Sequence, residues 1–323
     1  MCGRTVVSGD SKTLARRCTY SNRNAESVQP KWRSISTNRR EERESSDNDA
    51  NENQQVRKTS EHFFEPSFNI GPQSKLPVLV SSLNLLTDLR EDEKSSDDER
   101  CLTAMRWGLQ REFMKDSSTK YSTFNCRAET LLTGPSQSQL FKQPLSRGFR
   151  CAVVVDGFFE WKTSAEDKKQ KQPYFVHAPQ SKEFEGKFET AEDKDEYRKM
   201  LVMAGIYNPV KTAEGETENT CTIITVESSH DLKWLHHRMP AILPDDGSIQ
   251  KWLDAKSVST NEALKLLSPF SGLQFYPVDS KVGNIRCNEP SNLERVVVSR
   301  KRKGEKESKL MLNWLKSAKT SSN

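Results

Sequence analysis

The stretch that most constrains the fold is RCAVVVDGFFEW, which occupies residues 150–161. Its apolar run from Cys151 to Val155 is continuous, and such a run predicts a strand that is buried on both faces. Asp156 and Gly157 then form a turn signal, and the aromatic residues after it predict a second strand. This strand–turn–strand unit is the clearest structural pattern in the chain.

Short apolar segments elsewhere predict further strands, whereas helical spacing with capping residues is confined to a few brief stretches. Because strands dominate, we predict an α+β fold: a single domain with a mostly antiparallel, β-barrel-like core and short peripheral helices. The predicted strands include residues 76–80, 102–109, 173–177, 201–207, 221–226 and 273–278, and the predicted helices cover residues 8–18, 249–253 and 261–267.

Composition limits how much of the chain can pack into that domain. The 323 residues have a mean hydropathy of −0.80 and 29% charged side chains, so part of the chain is too polar to be buried. We predict one domain over residues 2–298, with disordered insertions at about 36–61, 88–100 and 181–199, and a basic, disordered tail over 299–323.

Charge and cysteine content limit the partners and the compartment. The formal net charge is +5, which is compatible with a nucleic-acid partner. The chain has no apolar secretory segment at its beginning and no run of about 18 apolar residues, so we expect no membrane association. The seven cysteines are scattered without a CxxC pair, which is typical of reduced thiols in the cytosol or the nucleus.

The first four residues, Met1-Cys2-Gly3-Arg4, suggest a reactive terminus. A small residue at position 2 favours removal of Met1, which would make Cys2 the amino-terminal residue. Its α-amine and thiol would then lie on adjacent carbons, and both groups react near neutral pH. Such a 1,2-aminothiol condenses with an aldehyde, first to a Schiff base and then to a thiazolidine ring. The alternative is an ordinary cysteine in a frayed terminus.

Side chains elsewhere are candidates for proton transfer. Glu160 follows a buried strand between two aromatic residues, where partial desolvation would favour acid–base chemistry; the alternative is an outward-facing strand residue. One of the paired residues His236 and His237 could move protons near neutral pH, and Arg238 could hold a phosphate. A zinc site that adds His230 to this pair is the metal alternative, but the spacing of known zinc motifs is missing, and we predict no metal.

Several features indicate nucleic-acid binding. Asn125 and Arg127 alternate, so they share one face if the segment is extended. The basic cluster at 300–303 is typical of nuclear localisation or nucleic-acid binding, with a solvated tail as its alternative. Three aromatic residues are candidates for stacking on bases, although single aromatic residues more often pack in a core: Trp107, Phe159 and Trp161.

Seven short motifs occur in a specific order along the chain. They are MCGR at 1–4, PSFN at 66–69, MRWGL at 105–109, NCRAET at 125–130, DGFFEW at 156–161, HHRMP at 236–240 and VGN at 282–284. In this order they resemble the SOS-response-associated peptidase (SRAP) family, and the resemblance covers residues 2 to about 298. Each motif is modest by itself, but the ordered set is specific.

The resemblance implies both a fold and a function. Family members have a single α+β domain around a β-barrel-like core and bind single-stranded DNA that carries an abasic site. Their amino-terminal cysteine forms a thiazolidine cross-link with the ring-opened sugar, and removal of the initiator methionine is attributed to the protein itself. We therefore expect a monomeric nuclear protein that cross-links to abasic single-stranded DNA near replication-fork proteins, without a cofactor or metal.

The resemblance also implies roles for individual residues. Cys2 matches the nucleophile, Asn125 matches the residue that orients the terminus and the sugar, and Glu160 matches the acid–base carboxylate. His236 matches the family histidine, because the family pattern is H-x-R-M-P. The residues expected to bind DNA are Arg4, Asn69, Trp107, Arg127, Trp161 and Arg238.

The sequence departs from the family pattern in places, and two other functions remain as alternatives. Phe68 replaces a common tyrosine, and the patch at 310–315 does not fully match the polymerase-clamp-binding motif of some eukaryotic members. Cys2, Glu160 and His236 could instead form the catalytic set of a peptidase that acts in trans. Alternatively, the aromatic residues could form the pocket of a non-covalent reader of modified bases. Only the cross-linking chemistry requires the cysteine to be residue 2.

Overall fold

The computed structural model describes residues 3–22, 24–33, 64–82, 100–111, 123–133, 139–163, 171–180, 199–212, 215 and 217–298. The strands in these segments are β1 (Thr5–Val7), β2 (Tyr20–Ser21), β3 (Ser27–Val28), β4 (Lys31–Trp32), β5 (Ser67–Ile70), β6 (Lys75–Ser81), β7 (Arg100–Trp107), β8 (Asn125–Arg127), β9 (Arg150–Val155), β10 (Gly157–Thr163), β11 (Lys171–His177), β12 (Leu201–Lys211), β13 (Thr217–Glu227), β14 (Arg238–Pro240) and β15 (Gln274–Pro277). The α-helices are α1 (Ser11–Arg17), α2 (Ala128–Thr133), α3 (Gln139–Ser146), α4 (Asp246–Leu253) and α5 (Thr260–Leu264).

Five strands close into a barrel at the centre of the fold. Every residue of β9 is buried, and β9 pairs antiparallel with β6 on one edge and with β12 on the other. The strand pairs β12–β13 and β6–β7 are also antiparallel. A parallel contact between β7 and β13, with Arg106 opposite Thr220, closes the ring. This arrangement confirms the predicted α+β class with a mostly antiparallel, barrel-like core.

A second sheet, in the order β15–β11–β10–β1–β5, continues from the barrel at the end of β9. Asp156 makes the turn, and β10 begins at Gly157. A Cβ at Gly157 would lie only 2.5 Å from the Val176 carbonyl oxygen, so this close approach to β11 requires glycine. Strand β1 pairs with β10 on one side and with β5 on the other, so the amino-terminal strand is held inside the sheet.

Two apolar clusters stabilise the sheets. The larger cluster centres on the barrel and includes the fully buried side chains of Trp107 and Trp252. The smaller cluster lies against the second sheet and consists of Val6, Phe159, Phe175, Tyr276, Val278 and Val282. Burying apolar area of this kind is the main favourable contribution to folding, so both sheets contribute to the stability of the domain.

The helices are short, and α1, α4 and α5 begin at capping residues. Asp10 caps α1 by accepting a hydrogen bond from the Thr13 amide, and Asp245 and Ser248 form a capping box at the start of α4. The Trp252 indole of α4 donates to the Cys151 carbonyl at 2.9 Å, which fixes this helix against β9. None of the helices in the described segments is long and apolar enough to cross a membrane.

Most of the predicted disordered segments lie outside the described residues, namely 36–61, most of 88–100 and 181–199, and the tail 299–323. Arg100 is an exception, because it begins β7 and is only 4% exposed. The prediction placed it in a polar loop because its sequence neighbours are charged, whereas its guanidinium contacts Asp246 and Gln250 of α4. The last three residues of the HHRMP motif form β14, a short strand that pairs with β13 and that was not among the predicted strands.

Candidate active site

Backbone pairing brings the amino-terminal end of the chain to Glu160. Strand β1 pairs antiparallel with β10, and the Phe159 amide donates to the Arg4 carbonyl at 2.9 Å. Gly3 is the first described residue, so Cys2 lies outside the described part of the chain. Consecutive Cα atoms are about 3.8 Å apart, and the covalent link to Gly3 therefore tethers residue 2 to this end of β1.

Glu160 is a buried carboxyl group on β10, with 4% of its surface exposed. Its neighbours Phe159 and Trp161 pack in or against the smaller cluster, so alternation places Glu160 on the opposite face of the strand. Its Oε1 atom accepts a hydrogen bond from the Trp161 amide at 3.3 Å. The sequence left the orientation of Glu160 open, and the structure turns it away from bulk solvent.

His236 lies close enough to Glu160 for the two side chains to interact electrostatically. Burial lowers the pKa of the imidazole below 6.5, and the Glu160 carboxylate opposes that effect. Nδ1 of the ring lies 3.0 Å from the Arg238 amide nitrogen and 3.1 Å from the Arg238 carbonyl oxygen, so the backbone of Arg238 positions the imidazole. The site therefore pairs a buried carboxyl group with an imidazole that is mainly neutral at pH 7.

Asn125 and Arg127 lie on β8, a short strand that pairs parallel with β13. Cys126 between them is 1% exposed, so the two flanking side chains share the other face of an extended segment, as predicted. Trp107 supports the start of this strand, because its indole donates to the Phe124 carbonyl at 2.8 Å. Strand β14 pairs with neighbouring positions of β13, so the NCRAET and HHRMP motifs are held by one strand.

Arg238 is buried, with 6% of its surface exposed, and it makes several contacts within the protein. Its guanidinium donates to both carboxylate oxygens of Glu129, at 2.8 and 2.9 Å, and to the Thr225 carbonyl at 2.6 Å. The hydrogen bonds from Arg238 lower the pKa of the Glu129 carboxyl. The guanidinium is thus already engaged inside the protein, and its contact with a DNA phosphate stays a prediction.

Arg4 and Arg127 differ in their surroundings. Arg127 is exposed on β8, whereas Arg4 is half-buried and donates from Nη1 to the Gly3 carbonyl at 3.0 Å. Burial lowers the pKa of the Arg4 guanidinium. A Cβ at Gly71 would lie 3.1 Å from Nη1 of Arg4 and 2.4 Å from the Ile285 side chain, so the absence of a side chain at Gly71 makes room for both.

Asn69 and Trp107 were expected to bind DNA, but the structure buries both. Asn69 is 3% exposed, and its amide nitrogen donates to three backbone carbonyls of the 282–287 loop at 3.0–3.1 Å. Trp107 is fully buried in the barrel core, where no face of the indole is open to a base. Trp161 is half-buried against the smaller cluster and keeps part of its ring at the surface.

A buried ionic network next to the site was missed by sequence reasoning. Asp156 accepts hydrogen bonds from the Ser8 amide and hydroxyl at 2.6 and 2.7 Å, and its other oxygen lies 2.6 Å from the Arg17 guanidinium. The network joins the segment after β1 and helix α1 to the turn that precedes Glu160. Asp-Gly signalled only a turn, and nothing in the local sequence indicated that the carboxylate bonds to residues far away in the chain.

Four internal cysteines do not resemble nucleophiles. Burial raises the pKa of the thiols of Cys18, Cys126 and Cys221 to about 12 in each case, so these groups are protonated near neutral pH. Cys151 is also fully buried, and burial raises the pKa of its thiol. In the described part of the chain, no three His, Cys, Asp or Glu side chains are arranged to hold a metal ion.

Comparisons with known proteins agree with this geometry. The model of the family "SOS response associated peptidase (SRAP)" matches residues 1–285. A Gallus gallus protein named "Abasic site processing protein HMCES" is 38% identical over 98% of this chain and 85% of its own length. A Bacillus subtilis protein named "Abasic site processing protein YoqW" is 31% identical over 72% of this chain and 87% of its own length.

A solved structure is similar in fold as well. The crystal structure of a protein from Bacteroides thetaiotaomicron superimposes with a TM-score of 0.51 at 25% identity, over 71% of this chain and 85% of that chain. The family match covers most of the chain and includes all the strands of the barrel and of the second sheet. The chain therefore belongs to the SOS response associated peptidase (SRAP) family.

Proposed function

We propose that this protein processes abasic sites in single-stranded DNA by forming a covalent cross-link through Cys2 after Met1 has been removed. The observation that carries the proposal is that the β1–β10 ladder holds Arg4 against Phe159, next to the buried Glu160 and the half-buried His236 that interacts with it. Cys2 is linked covalently to this end of β1 through Gly3. Relatives from a bird and a bacterium carry names that refer to abasic-site processing, which supports the same substrate.

The proposed chemistry begins at the free amine of Cys2. The amine adds to the aldehyde carbon of the ring-opened sugar to give a carbinolamine, and loss of its hydroxyl as water gives an imine. The Cys2 sulfur then bonds to the imine carbon while the thiol proton passes to the nitrogen, so one water leaves in total. A tethered terminus supplies the amine and thiol at high effective concentration.

Two nearby groups can move the protons that these steps require. The departing hydroxyl needs a proton, which Glu160 or His236 can donate, and either group can also take the proton that the thiol loses. His236 can accept a proton, because the nearby Glu160 carboxylate favours the charged imidazolium against the effect of burial. The imine can also undergo β-elimination, so strand cleavage is expected as a side reaction that ring closure limits.

DNA binding in this proposal depends on Arg127 and Arg4. Arg127 is exposed on the same strand as Asn125, and Arg4 directly precedes β1, close to Cys2 in the sequence. Phosphate contacts from these side chains make the affinity fall as salt rises. Removal of Met1 by the protein itself, a nuclear location, a monomeric state and a role beside replication-fork proteins belong to the same proposal.

The experiment compares the wild-type chain with Cys2→Ala and Cys2→Ser on an oligonucleotide with one abasic site. The wild type should give an adduct that survives denaturation without a reducing agent, and both variants should lose that adduct. Their binding to an intact oligonucleotide of the same length should stay within about threefold of wild type, since no phosphate contact is removed. A stable adduct at wild-type yield in Cys2→Ala would refute thiazolidine formation.

A further inference from the structure

Three aromatic side chains form a surface cluster that the motifs do not include. Trp234 is 39% exposed, and its ring centroid lies 5.1 Å from that of Tyr174 and 5.1 Å from that of Phe275. The Tyr174 ring meets the indole edge to face at 86°, and Phe275 is tilted by 52°. We call these three residues the aromatic platform.

The register of the second sheet connects the platform to the candidate active site. Glu160 on β10 lies directly opposite Tyr174 on β11, so their side chains leave the same face, with Cβ atoms about 5 Å apart. Phe275 on β15 lies opposite Val176, and Val176 shares the Tyr174 face because it is two residues along the strand. Tyr174 of the platform is therefore the direct cross-strand neighbour of Glu160.

Local packing explains why Trp234 is directed outward. Leu232 and Leu235 are 1% and 5% exposed, and they anchor the loop in the larger cluster. The Ser229 carbonyl accepts hydrogen bonds from the Leu232 and Lys233 amides, which closes the loop into a turn. Because both leucine side chains point inward, Trp234, which lies between them in the sequence, is left at the surface. The same loop continues directly into His236.

A cation accompanies the aromatic rings. The Lys162 ammonium lies 4.6 Å from the Trp234 ring centroid, and Lys162 is on the same face of β10 as Glu160. Proteins that bind single-stranded nucleic acid combine aromatic rings, on which bases stack, with cations that follow the backbone. A surface lysine can move from the ring to a phosphate at little cost, because an exposed cation–π contact is worth only about 0.5–1 kcal/mol.

We infer that the aromatic platform is a stacking site for a nucleobase of the DNA strand next to the lesion, with Lys162 binding the adjoining phosphate. The inference rests on the proposed function, since it places the base next to the sugar that would react with Cys2 near Glu160. The occupant follows from the observations together: an exposed indole, two supporting rings, an exposed cation and direct continuity with the candidate site.

The test measures equilibrium binding of a labelled single-stranded oligonucleotide without an abasic site, so that covalent chemistry cannot contribute. The full-length chain is compared with Trp234→Ala, Trp234→Phe and Lys162→Ala over a series of salt concentrations. Val297→Ala is the control, because it truncates a 96% exposed apolar side chain outside the platform. Thermal unfolding of each variant verifies that the fold is intact.

Trp234→Ala should weaken binding at least about fivefold, which corresponds to the loss of one stacked base, with an unchanged salt slope. Trp234→Phe should retain most of the affinity, because a ring remains. Lys162→Ala should reduce the slope of log affinity against log salt by about 0.7, the value for one phosphate contact on a single strand. Quenching of tryptophan emission by the oligonucleotide should decrease in Trp234→Ala.

Wild-type affinity in Trp234→Ala, or a loss equal to that of Val297→Ala, would overturn the inference. Cross-linking of an abasic oligonucleotide by the wild type is measured separately. If cross-linking occurs and Trp234→Ala binds normally, the proposed function stands and the platform does not. If Trp234→Ala binds weakly and cross-linking never occurs, the stacking site stands and the covalent chemistry is wrong.

Discussion

Asp156→Asn tests whether the buried ionic network holds the amino-terminal segment against the candidate site. The change keeps the size of the side chain and removes its charge. The partner Arg17 then remains as a buried cation, since the side chains of Arg17 and Asp156 are 1% and 0% exposed and their charged atoms are 2.6 Å apart. Breaking a buried ion pair in this way costs about 3–5 kcal/mol, a large part of a typical stability of about 5–15 kcal/mol.

A matched control is present in the same chain. Glu218 and Arg106 also approach within 2.6 Å, but their side chains are 33% and 19% exposed. Glu218→Gln makes the same carboxylate-to-amide change, and an ion pair of this kind contributes about 0–1 kcal/mol. The two variants therefore differ in burial and in the two hydrogen bonds that Ser8 donates to Asp156.

The assay is urea unfolding at neutral pH, with the free energy of unfolding extrapolated to zero denaturant. Asp156→Asn should lose about 3–5 kcal/mol, and Glu218→Gln should lose no more than about 1 kcal/mol. Because the network leads directly to Glu160, the folded Asp156→Asn protein should also cross-link abasic DNA more slowly. Equal losses in the two variants would refute the structural role assigned to Asp156.

Two further predictions concern charged groups of the site. Arg127→Ala should reduce the salt slope of single-strand binding by about 0.7 without loss of stability. Arg238→Ala should instead lower the free energy of unfolding, because Glu129 and Thr225 lose their partner. Anisotropy titrations measure the first effect and urea unfolding the second, and a reduced salt slope in a fully stable Arg238→Ala would contradict both expectations. Burial lowers the folded-state pKa of His236 below the unfolded value of 6.5, so the unfolded chain takes up this proton first and stability falls as pH drops through 6.5. The difference in unfolding free energy between wild type and His236→Gln should therefore increase from about pH 5 to 7.5, and a difference independent of pH would show that this shift is absent.

Local patterns in the sequence predict the strands, but they do not predict which distant strands meet. The run Cys151–Val155 indicates β9 because a continuous apolar segment has to be buried on both faces. Closure of the barrel depends on the contact of Arg106 with Thr220, which joins positions far apart in the chain. Such pairing is determined by the packing of the whole sheet, and no short motif encodes it.

The same limit applies to side-chain partners within the site. An arginine in a motif suggests a phosphate contact. Arg238 forms an ion pair with Glu129, which lies far away in the sequence, and only the three-dimensional structure identifies that partner. Sequence reasoning favoured Trp107 and Trp161 for stacking because they lie in motifs. The structure buries Trp107 and exposes Trp234, whose orientation follows from the burial of the leucines on either side of it. Glu160, by contrast, lies on the strand that was predicted after the Asp-Gly turn, and Asn125 lies on a short strand for which no strand had been predicted.

The most direct test of the central claim is the intact mass of the full-length, untagged protein after incubation with a single-stranded oligonucleotide that carries one abasic site. The account predicts a free protein without Met1 and an adduct equal to that protein plus the oligonucleotide minus one water, formed without a reductant. An adduct that retains Met1, or the absence of any adduct after Met1 has been removed, would contradict the assignment of Cys2 as the reactive residue.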